Sequence, residues 1–112
     1  MNPRKAFRIT GKKGFHITAP NGYTLSVQFG PGNYSENYDR EIRTEAEQCG
    51  EEGSNTAETA IIHPTKGLMP DPADKGEYAD SVQGYQTIEQ VLDRLQRMAS
   101  WPAPIEEKVD AA

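Results

Sequence analysis

The sequence predicts an α+β fold: a small antiparallel β-sheet of three to four strands, covered on its apolar face by one C-terminal α-helix. Three observations predict it. Tyr23 to Phe29 alternates apolar and polar residues, with Tyr23, Leu25, Val27 and Phe29 on one face, the period of a half-buried strand. Before it, Phe15 to Thr18 alternates as well, and Ala19-Pro20-Asn21-Gly22 lies between the two runs. Asn-Gly supplies the positive φ angles that a tight hairpin turn requires. Finally, Ile88, Val91, Leu92, Leu95 and Met98 recur at helical spacing opposite Glu89, Asp93, Arg94 and Arg97. Packing the helix on the sheet gives a predicted core of Tyr23, Leu25, Val27, Phe29, Ile61, Val91, Leu92 and Leu95.

The elements follow in chain order within a single domain, 1–112. Residues 1–13 carry Arg4, Lys5, Arg8, Lys12 and Lys13 and no acid. They read as a basic arm, or as an edge strand through Phe7 to Thr10 that Gly11 and Gly14 interrupt. The sheet spans 15–62 and contains a long acidic loop, 30–55, in which no clean period appears beyond a thin stripe of Ile42, Ala46 and Cys49. A loop of that length in a small domain is usually functional or mobile. Thr56 to Ile62 reads as a strand with Ala57, Thr59 and Ile61 on one face and Glu58, Ala60 and Ile62 on the other. His63 to Gly67 turns the chain, and Leu68-Met69 starts a return strand that Pro70 and Pro72 stop. Asp71 to Gly84 is polar and loop-like. Thr87 with Gln90 three places on has the form of a capping box, which starts a helix over 87–100. That helix ends before Trp101-Pro102, because proline disfavours α geometry in the residue before it. Trp101 anchors the tail or caps the core, and residues 103–112 form a frayed tail.

Composition narrows the function classes. Of 112 residues, 35% are apolar and 26% charged, which suits a small core with long polar excursions. No stretch approaches the roughly 20 apolar residues that cross a bilayer, and the basic N-terminal residues lack the apolar run of a secretory signal. Cys49 is the only cysteine, so no internal disulfide forms, and the count fits a reducing cytosol. The net charge is −5. Residues 36–58 hold eight acids against Arg40 and Arg43, a net of −6. This acidic surface either solubilises the chain or docks on a basic partner. The overall charge opposes nucleic-acid binding, and the basic arm lacks interleaved aromatics beyond Phe7.

Few residues carry chemistry. Gly30-Pro31-Gly32-Asn33 follows a strand, but Pro31 removes a backbone donor and no Lys-Ser/Thr follows, so it is a turn rather than a phosphate cradle. His16, His63 and Cys49 lack the paired short-range spacing of a zinc site, and neighbouring carboxylates disfavour a Cys49 thiolate. With no nucleophile, metal cluster or cofactor loop, the expectation is a non-enzymatic protein without cofactor. The best site candidate is the loop Asn33, Tyr34, Ser35, Asn37 and Tyr38, whose amides, hydroxyls and two aromatic faces suit recognition. Glu51 and Glu52 extend it along the acidic segment.

The stretches FHITAPNGYTLSVQFGPGNYSEN (15–37) and GSNTAETAI (53–61), followed by TIEQVLDRL (87–95), resemble a group of small proteins encoded by tailed phages and prophages. No catalytic residue carries over from that group. The resemblance implies a protein acting in the host cytoplasm that binds and blocks a host protein, including one of a defence system, through residues 30–58. Two other roles stay open: a small-ligand or nucleotide-signal binder, using Asn33, Tyr34 and glycine amides across a homo-oligomer interface such as that of a homodimer, and a virion-associated structural protein.

Overall fold

Alternation and capping produce six strands and a C-terminal helix among the residues described in a computed structural model of the chain, 5–11, 13–42, 47, 53–74 and 81–105. The strands are β1 (Phe7–Thr10), β2 (Gly14–Thr18), β3 (Thr24–Gln28), β4 (Thr56–His63), β5 (Gly67–Met69) and β6 (Val82–Thr87), and the helix is α1 (Ile88–Ser100). All pairings are antiparallel, in the order β1-β2-β3-β4-β5. β6 lies beside the first half of β4, on the side away from β3. The fold is therefore α+β as expected, with more strands than the three to four predicted. The chief addition is β6, whose first residues fall in the stretch read as loop. Val82-Gln83-Gly84-Tyr85-Gln86 has no apolar alternation, and its strand geometry comes from pairing with β4.

The register sets the faces. Phe15 opposes Val27, Ile17 opposes Leu25, Leu25 opposes Ile61, and Val27 opposes Thr59. Directly opposed residues share a face, so Leu25, Val27, Thr59 and Ile61 form one apolar floor. Met98 lies on that floor, and Leu25, Ile61 and Met98 are each no more than 1% exposed. Phe15, Tyr23, Phe29, Met69, Val91, Leu95 and Trp101 pack around them, half-buried.

The β2–β3 turn differs in detail from the expectation. Only Gly22 has positive φ (92°). Gly22 N–H donates to the Ala19 carbonyl, and Ala19 N–H to the Tyr23 carbonyl, a longer connection that ends in one left-handed glycine. Asn21 instead contributes its side chain. Its Oδ1 accepts from Tyr23 N–H (3.1 Å), and its Nδ2 donates to the carbonyls of Met98 (2.8 Å) and Trp101 (2.9 Å). The turn thus holds the C-terminal end of α1, whose last carbonyls have no partner inside the helix. Trp101 completes this corner by packing edge-on against Tyr23, centroids 5.0 Å apart.

The capping box forms as the sequence predicts. Thr87 Oγ1 accepts from Gln90 N–H, and Gln90 Oε1 accepts from Thr87 N–H. The buried face of the helix is rotated from the predicted one, however. Leu92, placed in the core by its spacing, is 51% exposed, and Ile88 is 58% exposed, whereas Arg94, placed on the solvent face, is 7% exposed. The reason is Asp71, just after β5, which is 1% exposed. Arg94 Nη1 reaches Asp71 Oδ2 at 3.1 Å, and Arg97 donates two bonds of 2.8 Å to the same carboxylate. Burial alone would raise the Asp71 carboxyl, but the hydrogen bonds from Arg97 and from Ala73 N–H, with both guanidinium charges, outweigh it and hold it below its ordinary value. Arg97 is raised above its ordinary value, chiefly by its hydrogen bonds to Asp71 and Asp93.

Candidate functional site

The segment that leaves β3 is a set of tight turns clipped to the sheet. Gly30 N–H donates to Asn33 Oδ1 (3.1 Å) and Asn33 N–H to the Gly30 carbonyl (3.1 Å). Gly32 N–H donates to the Tyr38 carbonyl (3.0 Å), closing residues 32–38 on themselves. Ser35 and Asn37 are 1% and 2% exposed and turn inward. Asn37 Nδ2 donates to the Phe29 carbonyl (2.7 Å), and Asn37 N–H to Ser35 Oγ (3.2 Å). Asn33, Ser35 and Asn37 therefore build the loop, while the rings of Tyr34 and Tyr38 are left exposed.

Four bonds fasten this loop across β4 to β6. Tyr34 N–H donates to Glu58 Oε2 (2.9 Å), and the Tyr34 carbonyl accepts from Tyr85 N–H (2.8 Å). Glu36 N–H donates to Thr56 Oγ1 (3.0 Å), and Glu36 Oε2 accepts from Asn55 N–H (3.0 Å). The carboxylates of Glu36 and Glu58 are thereby held within the loop's own span. The result is a fixed ledge in the place where a long unpatterned loop was predicted.

Tyr85 completes the ledge. Tyr34 and Tyr38 stack with centroids 5.6 Å apart and planes within 2°, and Tyr85 lies 6.4 Å from Tyr34 at 31°. All three rings are exposed. Tyr85 reaches this position through a β-bulge. Ala57 opposes Gln86 and Thr59 opposes Gln83, so Gly84 and Tyr85 together face Glu58. Tyr85 has φ 51°, the only positive φ of a non-glycine among the described residues. The left-handed region costs an L-residue about 1–2 kcal/mol. Strain of this kind persists where the surroundings enforce it, and it clusters at functional positions. Gly84 is required by the close approach: a Cβ there would sit 2.8 Å from the Tyr34 Cβ.

Sequence reasoning missed Tyr85, because the glutamines around it break any period. The available signal was Gly84, since a glycine inside a strand marks a bulge or a close backbone approach. Glu51, Glu52 and Cys49 lie outside the described residues. The two histidines do not meet. His16 opposes Ser26 on one face of the sheet. His63, on the other, packs edge-on against Tyr23 with centroids 5.5 Å apart, and its Nδ1 accepts from the N–H groups of Thr65 and Lys66. Among the described residues no group of His, Cys, Asp and Glu is placed to hold a metal ion, and no helix is long and apolar enough to cross a membrane. A half-open concavity lined by Arg40, Glu41, Ile42 and Glu47 includes none of the tyrosines. Comparison of the chain with known protein families, with curated proteins and with solved structures finds no match in any of the three.

Proposed function

We propose that the protein is a non-enzymatic recognition protein that occupies the surface of a host protein in the host cytoplasm, with Tyr34, Tyr38 and Tyr85 as its contact residues. The observation that carries this reading is the fixed, exposed arrangement of three tyrosine rings, one of them held in a strained backbone conformation. Tyrosine supplies a large contact area at low entropic cost, and a rigid ledge has little left to order on binding. Glu36 and Glu58, with exposed Asp39 following Tyr38, give the ledge an acidic rim that favours arginine or lysine on the partner. The host and the blocking role rest on the resemblance of residues 15–37 and 53–61 to phage-encoded proteins.

The test is quantitative capture from bacterial host lysate, with the native chain and a Tyr34→Ala/Tyr38→Ala variant side by side. The expected outcome is a partner enriched on the native chain and lost from the variant, with circular dichroism unchanged between them. Equal capture by both would remove the ledge from the interface. Stacked rings also suit a nucleobase, which favours a second reading as a nucleotide-signal binder. A thermal-shift screen with cyclic and linear nucleotides separates the two, because only a bound nucleotide raises the melting temperature.

A further inference from the structure

β1 is the outermost strand at one end of the sheet, and only its inner side is used. Arg8 opposes His16 and Thr10 opposes Gly14, and the Ala6 carbonyl accepts from Thr18 N–H at 2.8 Å. Bonded and non-bonded positions alternate along an antiparallel pair. Ala6, Arg8 and Thr10 therefore bond inward, and the N–H and C=O groups of Phe7 and Ile9 point outward, where no described strand meets them. Phe7 and Ile9 oppose Ile17 and Phe15, so their side chains lie on the apolar face of the sheet, yet they are 77% and 85% exposed. Arg8 is exposed on the other face, and exposed Lys5 stands just before β1.

We propose that the β1 edge docks an extended acidic strand of a partner protein. Its apolar residues, at every second position, lie against Phe7 and Ile9. Its intervening carboxylates face Arg8 and reach toward Lys5. Main-chain bonds to Phe7 and Ile9 supply the pairing, and the alternate side chains supply the selectivity. Charge decides against a second copy of this chain as the occupant, since that would bring the Arg8 and Lys5 of both edges together. Size decides against a globular face. A four-residue edge spans only about 13 Å, room for one strand and not for the roughly 20–30 residues per side of a standard stable complex. This edge lies at the far end of the strand order from β6 and its tyrosine, and the inference is independent of the ledge.

The experiment titrates an N-acetylated decapeptide of alternating valine and glutamate into the full chain and follows amide hydrogen exchange. The expected result is new protection at the Phe7 and Ile9 amides and weaker binding in high salt. Ile9→Pro removes an outward N–H that no strand of this sheet uses, so the hairpin tolerates it, and binding should fall about tenfold or more. Arg8→Glu provides a second arm. It should lose the valine–glutamate peptide and gain a valine–lysine peptide that the native chain ignores. Equal binding of both peptides to the native chain, undiminished binding to Ile9→Pro, or no protection at millimolar peptide would each overturn the proposal. So would a dimer of the chain, seen by sedimentation, that Ile9→Pro returns to monomer.

Discussion

The two ends of the sheet are built on opposite terms. At the β5–β6 end, Asp71 is closed in by two arginines of α1, and residues 33–38 are clipped over β4 onto the bulge of β6. At the β1 end the same apolar face continues into Phe7 and Ile9 with nothing described above them. One end places polar and charged groups inside and ties them together, and the other leaves apolar groups and backbone donors outside. The difference separates an end braced by side-chain contacts from one that is bare.

Substitutions sharpen that contrast. The largest effect belongs to Asp71→Ala, which leaves buried Arg94 with only its longer carboxylate contact, to Asp74 (3.4 Å), and removes both bonds of Arg97 to Asp71. It should cost about 3–5 kcal/mol in urea unfolding. The same carboxylate sets an acid limit. Its folded value lies below its unfolded one, so its contribution is present above about pH 4 and is lost as pH falls through the folded value. An Asp71→Asn variant should show a shallower loss of stability with acid in the same titration. Gly84→Ala ranks next. Its Cβ would displace Tyr34, at about 1–3 kcal/mol, and faster hydrogen exchange at the Tyr85 amide would show the loop lifting off. Thr87→Ala removes the capping hydroxyl and should cost about 1 kcal/mol, read as a lower urea midpoint. At the bare end, Phe7→Ala and Ile9→Ala should move stability by less than about 0.5 kcal/mol, since neither side chain is buried. A large loss there would mean that the edge is already covered.

What the sequence reveals depends on whether a residue's partner is local. The β2–β3 strands and the Thr87–Gln90 box are legible because alternation and a three-residue spacing encode them. The azimuth of α1 is not. Spacing alone admits Leu92 and excludes Arg94, and only Asp71, more than twenty residues upstream, reverses that choice. The site divides in the same way. Tyr34 and Tyr38 stand out as aromatics in a polar loop, but the inward turn of Ser35 and Asn37 depends on the Phe29 carbonyl and on closure of the loop. Tyr85 joins them through a bulge whose register no short window contains.

The hold of Asn21 on the end of α1 has a consequence in time. Its two bonds connect residues separated by 77 and 80 positions. At about 5–20 residues per second of synthesis, the hairpin waits roughly 4 to 16 seconds before Met98 and Trp101 exist. Leu25 and Val27, and Ile61 once it is made, lack their helical cover for that time. A nascent chain of this protein therefore presents its first hairpin well before the helix that covers it is made, and the core closes only after α1 has been synthesised.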